Sequence, residues 1–189
     1  PVSSNVTEAT PQVPSSNCTS DNVARQCQEL IRDTAVFQRA RLCVEIGTSG
    51  LDELGRVAEK RWIVIEPRLR RPLIADDDTF YCDADDFFFF LPPQVVTEKI
   101  DLAVIDGERS VRRLLRDFMN LERLMTPKGV IFVTDIHTAR NVEGQSQQDP
   151  RSGIGALLAS ERPELTLEWQ EAVPLLTISG LRPGSRRLW

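Results

Sequence analysis

Short apolar runs alternate with amphipathic stretches along most of the chain. Leu42, Cys43, Val44, Glu45 and Ile46 make one run of strand length. Trp62, Ile63, Val64 and Ile65 make a second, which ends on Glu66. Nearly continuous apolar runs of this length mark strands buried on both faces. Between the two, Gly47 and Gly50 mark a tight turn, and residues 51–58 begin a helix. Further strands are predicted over 79–82, 100–105 and 130–133. Two last strands, over 165–172 and 175–178, are close enough in sequence to pair antiparallel. A helix over about 20–39, capped by Ser20 or Asp21, carries Val23, Cys27, Leu30, Ile31 and Ala35 at helical spacing. A short one over 85–91 stops at Pro92 and Pro93. A third runs from its cap at Ser110 to Met125, with Val111, Leu114, Leu115, Phe118, Leu121, Leu124 and Met125 on its broad apolar face. A fourth covers 154–161. Alternating strands and helices predict an α/β domain with a mainly parallel, doubly wound sheet and helices on both faces. Residues 1–19 are rich in Ser, Thr and Pro and read as a flexible N-terminal arm; 20–189 read as a single domain.

The strand, glycine turn, helix and second strand closed by an acid form an arrangement suited to a nucleoside cofactor. Glycines allow close approach to the backbone, and the acid accepts hydrogen bonds from ribose hydroxyls. A dinucleotide fingerprint would place glycines at the first, third and sixth positions of the turn. Here those positions are Gly47, Ser49 and Asp52, so a nicotinamide cofactor is disfavoured. Asp52 also sets a negative charge where a pyrophosphate would sit. A cofactor without phosphates fits better.

With Glu45, Gly47, Thr48, Ser49 and Gly50 in the loop, the stretch resembles motif I of the class I S-adenosylmethionine-dependent methyltransferases. A second block extends the likeness. Asp106, Gly107 and Ser110 resemble the Asp-Gly-x-His-Ser that follows strand four in one branch of the family, methyltransferase domain family 24-like. The Pro127-x-Gly129 turn and the terminal acid Asp135 follow in the same order. Two residues depart from the pattern: Arg109 and Thr134 stand where that branch has histidines. The resemblance covers roughly residues 40 to 140. It implies a Rossmann-like sheet of seven strands, the last inserted antiparallel.

The resemblance also implies roles. Glu66 would hold the ribose. Asp83, beside Ala84, would read the adenine amino group, with Asp85 as a rival and a helix N-cap as the competing explanation for Asp83. Asp106 would face the methionine end of the cofactor or the methyl acceptor. His137, the single histidine, lies two residues past Asp135 and is the candidate base; an exposed loop histidine is the plainer reading. In catechol-type relatives a divalent metal is held by acids after strands four and five and then an Asn. Asp106 and Asp135 could supply two hard ligands, but Ile136 replaces the Asn, so no metal is expected.

Composition narrows the partners. The 189 residues carry a net charge of −5, which argues against general nucleic-acid binding, because phosphate neutralisation needs a basic surface. No apolar run approaches the ~20 residues of a membrane span. The cysteines Cys18, Cys27, Cys43 and Cys82 lack metal-ligand spacing, and a cytoplasmic or organelle-matrix location is expected; pairing of Cys18 with Cys27 stays open. On a helix, rather than the alternative of a strand, Phe87, Phe88, Phe89 and Phe90 span most of the circumference, so the core takes about two of them and at least one is expected to meet a protein partner, a second copy, the acceptor or the flexible arm. The expected function is methyl transfer from S-adenosylmethionine to an oxygen or nitrogen of a small molecule. The alternative is an inactive methyltransferase-like subunit with a structural or assembly role.

Overall fold

The computed structural model of the protein describes residues 20–47, 61–66, 78–90, 98–106, 110–134, 155–170, 173 and 175–182. The apolar runs become β1 (Leu42–Ile46), β2 (Arg61–Ile65), β3 (Thr79–Phe80), β4 (Ile100–Ile105), β5 (Met125–Val133), β6 (Thr166–Trp169) and β7 (Leu176–Ser179). The amphipathic stretches become α1 (Ser20–Phe37), α2 (Ala84–Phe90), α3 (Val111–Glu122) and α4 (Ala156–Glu161). The strands form one sheet in the order β3-β2-β1-β4-β5-β7-β6. Pairings from β3 through β5 are parallel, and β7 runs antiparallel between β5 and β6, as the resemblance implied.

Strand alternation divides the core between the two faces of the sheet. Val44, Ile46, Ile63, Ile65, Ala103, Ile105, Ile131 and Val133 face α2, α3 and α4 and pack with Phe87, Leu114, Phe118 and Leu158. Cys43, Trp62, Leu102, Val104, Val130 and Phe132 face α1, where Cys27, Ile31 and Ala35 form the buried stripe. Both faces are covered, which is why these strands read as nearly continuous apolar runs.

Several boundaries differ from the sequence expectation; β3 covers only Thr79–Phe80, for example. Ser110 caps α3 as expected, its Oγ accepting the Arg113 N–H at 3.3 Å, but the helix stops at Glu122. Leu124 and Met125 keep helical spacing, yet Met125 pairs with Ile100 at the start of β5. Register decides over local periodicity there. The Pro127–Gly129 turn is instead an excursion inside β5: Ile100 opposes Met125 while Leu102 opposes Val130. Gly129 allows this crowding, since a Cβ there would lie 2.6 Å from the Met125 Cε. Of the last two strands, β6 is shorter than expected, at four residues, and β7 keeps its expected length of four but starts one residue later.

Two local features set stability. The α1 C-terminus closes with the Arg39 N–H donating to Val36 O at 3.0 Å and the Ala40 N–H to Ala35 O at 2.9 Å. This Schellman geometry needs a left-handed residue, and Arg39 supplies it at φ 52 where glycine would be unstrained. On the opposite face of the sheet from α1, Arg162 is buried at the C-cap of α4. Its guanidinium makes two hydrogen bonds to Glu122 of α3, at 2.8 and 2.6 Å, and one to Glu164 at 2.6 Å. The hydrogen bonds to Glu122 raise the guanidinium above its ordinary range, so it stays charged. The hydrogen bond from Arg162 in turn lowers the Glu164 carboxyl below its ordinary value of 4.5.

Replacing Arg39→Gly is expected to stabilise the protein by about 0.5–1 kcal/mol, read as a higher urea midpoint with an unchanged slope. Because folding lowers the Glu164 carboxyl, its contribution is complete above 4.5 and fades as pH falls through the lower folded value. The stability gap between the parent and Glu164→Gln should therefore be constant over about pH 6 to 8 and close on acidification, as measured by urea melts across pH.

Candidate functional site

The order of strands reverses between β1 and β4, where the chain first builds leftward to β3 and then restarts on the right. Ligands of open α/β sheets bind outside the carboxyl ends of the strands at such a point. In the parallel register Ile46 sits level with Ile65 and with Ile105, and Ile105 with Val133. The residues one step beyond are Gly47, Glu66, Asp106 and Thr134, and they fall in one row.

Backbone hydrogen bonds fasten that row. The Glu66 N–H donates to Phe80 O at 2.9 Å, and the Gly47 N–H to Ile65 O at 2.8 Å. The Asp106 N–H donates to Ile46 O at 2.9 Å, and the Thr134 N–H to Ile105 O at 3.0 Å. Each residue is thus tied to the neighbouring strand as well as to its own. Gly47 has φ 90, a conformation that suits only a residue without Cβ.

The side chains in the row are buried although polar. Glu66 is 2 % exposed, Asp106 3 % and Thr134 7 %. The Thr134 hydroxyl donates to the Asp106 Oδ1. Glu45, one residue inside β1, is also buried. Burying carboxylates is costly unless bonding or a ligand compensates, so their concentration at this sheet edge marks a site.

Asp83 lies at the carboxyl end of β3, on the edge of the row. Its carbonyl accepts the Phe87 N–H at 2.9 Å, which places it at the cap position of α2. Its carboxylate forms an ion pair with Arg113 of α3, both side chains about half exposed at 58 and 44 %. Asp85, the rival, is engaged by Arg116 and by the Asn120 amide at 3.2 Å. Ala84 is fully buried beneath them. The sequence does not foretell the Arg113 ion pair or the Thr134 hydroxyl contact: these partners lie 30 and 28 positions apart, and Thr134 stands out only as a departure from the family pattern.

Thr48, Ser49, Gly50, Gly107, Arg109, Asp135 and His137 lie outside the described residues. Among the described residues no group of His, Cys, Asp and Glu is arranged to hold a metal ion, and no helix is long and apolar enough to cross a membrane. Two surface cavities, of about 340 and 530 Å³, share Gln38 and Lys128. The smaller lies between α1 and β5, β6 and β7, the larger by Gln38, Asp101 and residues 126–128, and neither is lined by a residue of the carboxyl-end row. Burial and hydrogen bonding single out the row far better than these open, mixed-polarity hollows do.

No family model matches the chain, and no curated protein matches it in sequence. Solved structures do match in shape. Cofactor-bound Rv0187 from MTB superposes with a TM-score of 0.61 at 19 % identity, over 85 % of this chain and 81 % of that one. The O-methyltransferase TomG from Streptomyces achromogenes, in complex with SAM, gives 0.59 at 17 % identity over 84 % and 80 %. The MycE methyltransferase of mycinamycin biosynthesis, with Mg, SAH and mycinamycin VI, gives 0.57 at 13 % identity over 87 % of this chain and 51 % of that one. The chain has the fold of the class I S-adenosylmethionine-dependent methyltransferases.

The four phenylalanines of α2 divide evenly. Phe87 and Phe88 are buried and stack edge-to-face at 5.2 Å, and Phe87 also meets Phe80 at 5.0 Å. Phe89 and Phe90 are 82 and 72 % exposed and contact each other at 4.8 Å. Single replacement of Phe87 or Phe88 by Ser is expected to cost about 3–5 kcal/mol, whereas Phe89→Ser and Phe90→Ser should change stability by under about 0.5 kcal/mol, as read by denaturant unfolding.

Proposed function

We propose that the protein is an S-adenosylmethionine-dependent methyltransferase that methylates an oxygen or nitrogen of a small molecule. The observation that carries this reading is the row of Gly47, Glu66 and Asp106, two buried carboxylates flanking a positive-φ glycine at the strand-order reversal. The fold shared with methyltransferase structures supports it; the reading as an inactive assembly subunit gains no such support.

The residues suit the cofactor chemically. Glu66, an acceptor-only group when ionised, would take the ribose hydroxyls. Gly47 would let the cofactor lie against the backbone, followed by Thr48, Ser49 and Gly50. Asp83 and Ala84 would border the adenine, with the Arg113 ion pair holding the Asp83 carboxylate at the rim. Asp106 would lie toward the reacting end. When bound, S-adenosylmethionine supplies a methyl group already activated on a sulfonium. What remains for the chain is to hold the acceptor in line and to accept its proton, a task for which His137 is the candidate. Asp106 and Asp135 would be the ligands if a divalent ion took part.

Titration calorimetry on the full chain tests the reading. Both S-adenosylmethionine and S-adenosylhomocysteine should bind in the micromolar range, and Glu66→Gln should weaken both by about tenfold or more while leaving the fold intact by circular dichroism. A folded protein that binds neither overturns the proposal.

A further inference from the structure

We infer that Thr134 is a positioning residue that fixes the Asp106 carboxylate, so that the pair makes the site prefer a charged sulfonium over a neutral thioether. The inference rests on the methyltransferase reading and adds to it the basis for telling cofactor from spent product.

Three observations converge on the pair. Thr134 is fastened to β4 twice, its N–H to Ile105 O at 3.0 Å and its hydroxyl to the Asp106 carboxylate. Asp106 is fastened from the opposite side by its own N–H, to Ile46 O at 2.9 Å. Both residues are buried, at 7 and 3 % exposure, so water competes little for the hydroxyl–carboxylate bond. A charge-assisted bond from a β-branched side chain, itself stiff at χ1, restricts an aspartate to one orientation. The backbone below it is already held by β1, β4 and β5 together.

Position gives the pair its ligand. Neighbouring strands are spaced about 4.8 Å apart, so Asp106 on β4 stands roughly 10 Å from Glu66 on β2, with Gly47 between them. With the adenine by Asp83 and the ribose hydroxyls on Glu66, the part of the cofactor directed past Gly47 toward Asp106 would be its sulfur and methionine end. A carboxylate held there in advance attracts the positive sulfur of S-adenosylmethionine and gains nothing from the neutral sulfur of S-adenosylhomocysteine. Methyl transfer removes that charge, so the same carboxylate that favours binding of the cofactor ceases to favour the product.

Calorimetric titration of the full chain with each of the two ligands tests this. Thr134→Val is expected to weaken S-adenosylmethionine about tenfold and S-adenosylhomocysteine by less than about threefold. Thr134→Ser, which keeps the hydroxyl, should retain the parent's ratio of affinities. Asp106→Asn, which removes the charge, should bring the two affinities together as Thr134→Val does. It decides the matter should the valine variant fail to fold by thermal melting. A parallel loss for both ligands in Thr134→Val, an unchanged ratio in Asp106→Asn, or a serine variant that behaves like valine overturns the inference while leaving the methyltransferase reading standing. An unmodified protein that binds neither ligand overturns both.

Discussion

The site depends on four backbone hydrogen bonds that step across the sheet, from Glu66 to Phe80, Gly47 to Ile65, Asp106 to Ile46 and Thr134 to Ile105. Each begins at the first residue past a strand, where a chain would otherwise be free to turn toward solvent. Because the strands are parallel and in register, these donors all find acceptors on the adjacent strand at the same level. The polar residues that follow therefore inherit the rigidity of the sheet rather than the mobility of loops. Preorganisation of this kind is what allows buried carboxylates to be kept where a ligand needs them.

Supporting that edge is a core split over two faces, with α1 on one side and α2, α3 and α4 on the other. The helices also carry charge into the structure. Arg113 and Arg116 of α3 hold Asp83 and Asp85 beside α2, and Arg162 joins α4 to Glu122 at the end of α3. The first two pairs are half exposed and weak by nature; the third is buried and cannot lose one partner without stranding a charge. These three ion pairs all involve α3, while a bidentate Arg61–Asp78 pair stands on β2 and the carboxylates of the row lie at the carboxyl ends of the strands.

Much of the fold was legible because buried parallel strands advertise themselves. The runs of β1 and β2 are apolar except for Glu45 and Arg61 and lead into Gly47 and Glu66, so both the elements and the candidate residues could be read together. Asp106 was legible for the same reason, closing the run of β4. Where local pattern and tertiary pairing disagreed, sequence reading failed: Leu124 and Met125 continue the spacing of α3, but pairing with Ile100 draws Met125 into β5. The tetra-phenylalanine stretch revealed how many rings the core could take, and the geometry of α2 decided which. The Arg162–Glu122 pair joins residues 40 positions apart, with no periodicity to connect them. The Thr134–Asp106 bond spans 28 positions and was equally hidden.

The insertion of β7 between β5 and β6 has a consequence for biosynthesis. As the polypeptide emerges from the ribosome, β6 appears before the strand that must lie beside it. Until then β5 presents an open edge and β6 has nowhere to dock, and both are invitations to pair with other nascent chains. The sheet can be sealed only when β7 is threaded into place, so the exposed edge of β5 persists through the whole interval between synthesis of the two strands.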